Sequence, residues 1–194
     1  PFDKRMGTST ALIVWSQDSR VYIYLLVDNF SRYIMNWKAS LRYSAEISCN
    51  NLSEAYQTYN LNTMPPCIDL ITDGGSENKG ALENFVTMSH DHIKKLVAQT
   101  DISFSNSMIE AVNKRLKYDY LFTRDFLDFE ETEKFLRFAI DEYNNKPHGS
   151  LYGLTPKEVF EGMIPDKDMF TERINQEAKK RKIINLNQDC FRCR

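Results

Sequence analysis

Ile71-Thr-Asp-Gly-Gly-Ser-Glu-Asn78 and Ser103-Phe-Ser-Asn-Ser-Met-Ile-Glu-Ala-Val-Asn-Lys-Arg-Leu-Lys117 together decide the fold. The first stretch completes the apolar run Ile68-Asp-Leu-Ile-Thr72, so Asp73 arrives at the carboxyl end of a strand, where open α/β sheets place their sites. Gly74 and Gly75 then let the chain turn without a side chain blocking the approach to that carboxylate. The second stretch predicts an amphipathic helix over 107–122. Ile109, Val112, Leu116 and Tyr120 form its apolar stripe, while Glu110, Asn113, Lys114 and Lys117 share the opposite side. A carboxylate followed by an amide and two ammonium groups suits a divalent metal held against a phosphate backbone. Plainer readings stand beside this one. An Asp-Gly turn accounts for Asp73, and a Ser107–Glu110 capping box accounts for Glu110.

Outward from these stretches the pattern is α/β. Runs at 10–16 and 21–28, separated by Gln17-Asp-Ser-Arg20, predict an antiparallel hairpin, and 32–40 a third strand. Over 44–59 the period becomes helical, with Ala45, Cys49, Leu52, Tyr56 and Tyr59 on one face. A strand at 67–72, a short helix at 80–88 and a strand at 93–98 follow. A helix at 130–145 turns Thr132, Phe135, Leu136, Ala139, Ile140 and Tyr143 inward and carries Glu130/Lys134 and Glu133/Arg137 pairs outward. Residues 1–165 are expected to form one core and 166–194 a basic, helical C-terminal tail.

Composition adds weaker bounds. The 194 residues, 42% of them hydrophobic, can fill a sizeable core, and no apolar run is long enough to cross a bilayer. A chain starting at Pro1 reads as a fragment or processed product. Cys49, Cys67, Cys190 and Cys193 are too few and too scattered for a disulfide framework, which points to a reducing cytoplasm. Cys190 and Cys193 have the spacing of half a zinc site, without a second pair close by. Net charge is −2, so nucleic-acid contact would need locally concentrated base. Residues 171–194 supply it: seven Lys or Arg, Lys179–Lys182 among them, against three acids.

The phrase around Asp73 and the Glu110 helix, with thirty-six residues between the two acids, resemble the catalytic core of DDE-type transposases and retroviral-type integrases. Val27-Asp-Asn-Phe-Ser-Arg-Tyr-Ile34 with Trp37, and Tyr143-Asn-Asn-Lys-Pro-His148 with Gly153-Leu-Thr-Pro156, are similar to phrases of bacterial insertion-sequence transposases. The resemblance covers about 21–162. It implies a ribonuclease H-like fold, a five-stranded mixed sheet flanked by helices. It implies DNA integration by polynucleotidyl transfer: cleavage at 3′ ends, then strand transfer into target DNA. Two Mg²⁺ or Mn²⁺ ions would be held by Asp73 and Glu110, and Asn113, Lys114 and Lys117 would contact DNA. The implied partners are transposon-end and target DNA and at least a second copy of the chain, in a bacterial, nucleoid-associated setting without membrane.

One position departs from the pattern. The family's first acid lies on the first strand, and counting back from Asp28 places that slot near Thr8 or Ser9, where no carboxylate stands. Asp3 and Asp28 are the nearest weak candidates, and Asp18 falls in the hairpin turn. The alternative reading is therefore a degenerate core that only binds DNA or partner subunits. His90 and His92 read as surface residues, and His148 as a phosphate contact or a turn cap.

Overall fold

The computed structural model describes residues 5–17, 19–61, 68–89, 92–98, 100–101 and 107–186, with residues 5–12 through their backbone alone. Strands β1 (Arg5–Trp15), β2 (Arg20–Asp28) and β3 (Ile34–Ser40) are followed by helix α1 (Ala45–Thr58), β4 (Ile68–Thr72), α2 (Ala81–Met88) and β5 (Ile93–Val97). Helices α3 (Ser107–Asp119), α4 (Phe129–Asn145), α5 (Pro156–Phe160) and α6 (Lys167–Leu186) complete the order. The sheet order is β3-β2-β1-β4-β5. Three antiparallel strands, β3-β2-β1, meet a parallel pair, β4-β5, through the parallel β1–β4 ladder.

β2 explains why the sheet forms. Its side chains from Ile23 to Val27 are all buried, so it must be covered on both faces and paired on both edges. Val21, Ile23, Leu25 and Val27 join Ile109, Val112 and Leu116 of α3 and Leu136, Ala139 and Ile140 of α4. On the other face Leu26, Leu70 and Met35 pack with Leu52 and Ala55 of α1 and Leu82 of α2. The result is a sheet between two helical layers, each burying one apolar stripe.

Three sequence expectations shift. β1 starts at Arg5 rather than near residue 10, because the apolar length of β2 recruits the polar run Gly7-Thr-Ser-Thr10 as its partner. The helix of Glu110 ends at Asp119 instead of 122, giving way to a 3₁₀ turn at Leu121–Thr123. On α1 the buried residues are Ser48, Asn51, Leu52 and Ala55; of the expected stripe Leu52 is among them and Tyr56 and Tyr59 pack half-buried against the same core, while Cys49 is only half-buried. The α1 rotation has a polar cause: Asn51 Nδ2 donates to the Tyr24 carbonyl of β2, at 3.4 Å, which pulls an amide against the sheet. Ser44 caps α1, its side chain accepting from the Glu46 amide. No helix among the described residues is long and apolar enough to cross a membrane.

Candidate active site

β4 ends on the fully buried Thr72 and delivers Asp73 to solvent at the sheet's carboxyl edge. Its Oδ1 accepts from Asn78 Nδ2 at 2.7 Å and from the Gly75 amide at 3.3 Å. The same Asn78 Nδ2 donates to Glu77 Oε1 at 3.2 Å, so one amide bridges two carboxylates. Lys95 of β5 fastens this turn by donating to the Asn78 carbonyl while pairing with Glu83 at 2.7 Å. One Asp73 oxygen is thereby oriented by the turn.

Sequence reasoning passed over Glu77, which is 2% exposed, its carboxyl pushed up by burial. The role of the glycine pair changes accordingly. Gly75 has ordinary extended φ and ψ of −63° and 151°, so no glycine-only backbone is needed there. A Cβ at Gly75 would instead lie 2.3 Å from Glu77 Oε1. Moving the buried Glu77 carboxyl aside would break its hydrogen bond from Asn78. Gly75→Ala is expected to destabilise the fold by about 1–3 kcal/mol, read from urea midpoints. An unchanged midpoint would show that Glu77 has room to move.

Glu110 lies in the first turn of α3 and is exposed, as is Lys114; Asn113 and Lys117 are half-buried on the same helix. Ile109, Val112, Leu116 and Tyr120 are all buried, so the predicted stripe is the one that meets the sheet. α3 packs against β1. The segment after it reaches the end of β1, where Ser16 bridges Phe126 and the Gln17 amide donates to the Phe126 carbonyl.

The ladder between β1 and β4 pairs Arg5 with Asp69, Met6 with Leu70 and Gly7 with Ile71. Carried two positions past its last pair, one residue beyond the end of β4, that register sets position 9 level with Asp73. That residue is Ser9, and β1 contains no Asp or Glu from Arg5 to Trp15. Asp28 pairs with Met6 and is therefore level with Leu70, about 10 Å short of Asp73 along the strand. It is buried, with Oδ2 accepting from the Ser31 amide at 2.8 Å and the Ser31 hydroxyl at 2.5 Å, and it holds the β2–β3 turn. Asp3 and Asp18 lie outside the described residues. Among the described residues no three His, Cys, Asp or Glu side chains gather into a metal-holding group. Asp73 and Glu110 are oxygen donors suited to a divalent ion, but the described residues do not fit a two-ion site.

His148 is a core residue rather than a phosphate contact: it is 3% exposed and its ring meets Tyr143 edge-on at 4.7 Å. Its backbone caps the Gly149–Leu151 turn. His92 is exposed, as expected of a surface residue; His90, Cys67, Cys190 and Cys193 lie outside the described residues.

Residues 91–156, which include Glu110 but not Asp73, match the family model of the integrase core domain. Among solved structures, a chain of the simian T-cell lymphotropic virus intasome, determined with PP2A regulatory subunit B56 gamma, superposes with a TM-score of 0.61 at 16% identity. The HTLV-2 integrase catalytic core domain, determined with magnesium in a dimeric form, gives 0.53 at 17% identity. This is the fold of the integrase and transposase catalytic cores. The catalytic domain of Mos1 mariner transposase belongs to the same set, with a TM-score of 0.52 at 10% identity over 72% of this chain and 76% of that one. The match covers 79% of this chain and 52% of the intasome chain, so this core spans about half the length of that relative; for the HTLV-2 domain the shares are 78% and 91%. These neighbours share the ribonuclease H-like architecture. No curated protein matches the chain by sequence.

Proposed function

We propose that the chain is a DNA-engaging core of the integration and transposition type, with Asp73 and Glu110 as acids of a polynucleotidyl-transferase site. The observation that carries this reading is the convergence of their supports on one face of the sheet. Ile71 shares the face of Gly7 and, across β1, of Val27, and Asp73 follows it by two residues, just past the end of β4, which puts it toward that face if the alternation continues. Val27 lies in the cluster covered by α3. The thirteen residues of α3 are about 20 Å long. That is close to the roughly 23 Å of β1 between position 9 and Ser16, the end to which the chain returns after α3. Glu110, in the first turn, is thus carried back toward Asp73. Lys114 and Lys117 on α3, and Lys179, Lys180, Arg181 and Lys182 on α6, supply positive charge for the DNA backbone, with Asn113 beside them. Mg²⁺ or Mn²⁺ is the metal this reading implies, and an assembly of at least two copies is the expected form on DNA.

A second reading, a core that binds DNA or a partner subunit without cleaving, is favoured by Ser9 at the level of Asp73. Strand transfer on oligonucleotide duplexes with Mn²⁺, compared among wild type, Asp73→Asn and Glu110→Gln, separates the two. Activity that either substitution abolishes supports the first. Absent activity with intact DNA binding supports the second, and absent DNA binding removes both.

The α6 charges carry their own expected result. Residues 171–186 include no fully buried side chain, so changing Lys179, Lys180, Arg181 and Lys182 together to Ala should leave the fold intact. For every phosphate that these side chains neutralise on duplex DNA, the substitution should shallow the dependence of log K on log salt by about 0.9. Fluorescence anisotropy across a salt series reads this slope directly. An unchanged slope would place DNA contact elsewhere on the chain.

A further inference from the structure

The strand register gives more than the level of the missing acid. Ser9 pairs with Leu25 and Thr8 with Leu26. Residues directly opposite on paired strands share a face of the sheet. Leu25 belongs to the cluster under α3, whereas Leu26 belongs to the cluster under α1 and α2. Position 9 therefore shares both the level of Asp73 and the face of α3; position 8 has neither. From this we infer that Ser9 occupies the position at which a third carboxylate would complete the Asp73–Glu110 set. With Ser9 there, Asp73 and Glu110 by themselves hold at most one divalent ion, weakly. A hydroxyl is neutral and a poor ligand for a hard cation, while two carboxylates alone leave most of an octahedral shell to water. A carboxylate at position 9 would add a third anionic oxygen donor, from β1, to those after β4 and on α3. This inference rests on the proposed function only in taking Asp73 and Glu110 as neighbours in space.

The test is a Mn²⁺ titration by calorimetry on the full chain, with wild type, Ser9→Asp, Thr8→Asp and the double variant Ser9→Asp/Asp73→Asn. Ser9→Asp is expected to bind Mn²⁺ at least about tenfold more tightly than wild type, Thr8→Asp to gain nothing, and the double variant to lose the gain. Equal gains from Thr8→Asp and Ser9→Asp would overturn the assignment, as would a folded Ser9→Asp with no gain. Circular dichroism reports whether Ser9→Asp folds. Should it not, the wild-type titration decides: weak binding of one ion at most upholds the inference, and two ions bound at micromolar concentration overturn it. DNA affinity of the wild type is measured in parallel. Its absence would remove the DNA-engaging reading without touching the metal result.

Discussion

Asn144→Ala is expected to cost about 2–4 kcal/mol of stability, more than its size suggests. Asn144 lies near the end of α4 and is 6% exposed. Its Oδ1 accepts from the Ile34 amide at 2.9 Å and its Nδ2 donates to the Ile34 carbonyl at 3.1 Å. One side chain therefore serves as the missing neighbour strand for the first residue of β3, at the sheet's edge. Ile34 is itself 2% exposed, so water cannot replace the amide. Truncation leaves a buried N–H and a buried C=O unpaired, each worth about 1–3 kcal/mol. Asn144→Asp should restore only the acceptor and recover part of the loss at most. Urea denaturation measures both variants, and a cost below about 0.5 kcal/mol for Asn144→Ala would mean that β3 finds another partner.

Acid should destabilise the fold through His148. Burial lowers its pKa from 6.5 to about 4, with the charges of Arg115, Arg32 and Lys146 adding to the effect. The Tyr143 carbonyl, which accepts a hydrogen bond from the ring, opposes it. The unfolded chain takes up a proton near pH 6.5 while the folded chain resists until about pH 4. Between those values the unfolded state binds more protons, so stability rises with pH across the window and levels off above it. The full loss on going from pH 7.5 to 4 amounts to about 3 kcal/mol from this residue. Carboxylates titrate at the lower end of the same window, so the comparison is with His148→Gln. The difference between the two proteins should change by that amount from pH 7.5 to 4. Parallel pH curves would refute the assignment, as would an imidazole that titrates normally in NMR spectra of the folded chain.

Both residues stand in Tyr143-Asn-Asn-Lys-Pro-His148, a phrase recognisable in the sequence by likeness, but its physical role was not. The amphipathic stripes of α3 and α4 could be read from period alone, because each helix buries a single apolar face. The placement of Asp73 at a strand's end was legible for a similar reason: an apolar run stops at a carboxylate and two glycines. What was not legible depends on residues distant in the chain. The extension of β1 over a polar run, the rotation of α1 toward Asn51 and the burial of Glu77 over Gly75 each follow from a partner supplied by another segment. The empty acid position shows both sides. Counting narrowed it to Thr8 or Ser9, and only the pairing of β1 with β2 and β4 separates two adjacent residues that belong to opposite faces.

The twenty residues of α6 include no fully buried side chain, with Phe170 and Ala178 alone half-covered. Beyond Phe170, whose ring meets Tyr152 at 6.1 Å, the helix is held chiefly by its own backbone ladder and by local pairs such as Lys180–Glu177 at 2.6 Å. Its helix–coil equilibrium is then governed by length and temperature rather than by tertiary packing. A polyanion that docks along Lys179–Lys182 meets that equilibrium as well as the charges. Warming melts helical turns that binding must re-form, so the van 't Hoff enthalpy of association should be more negative than phosphate contacts alone produce.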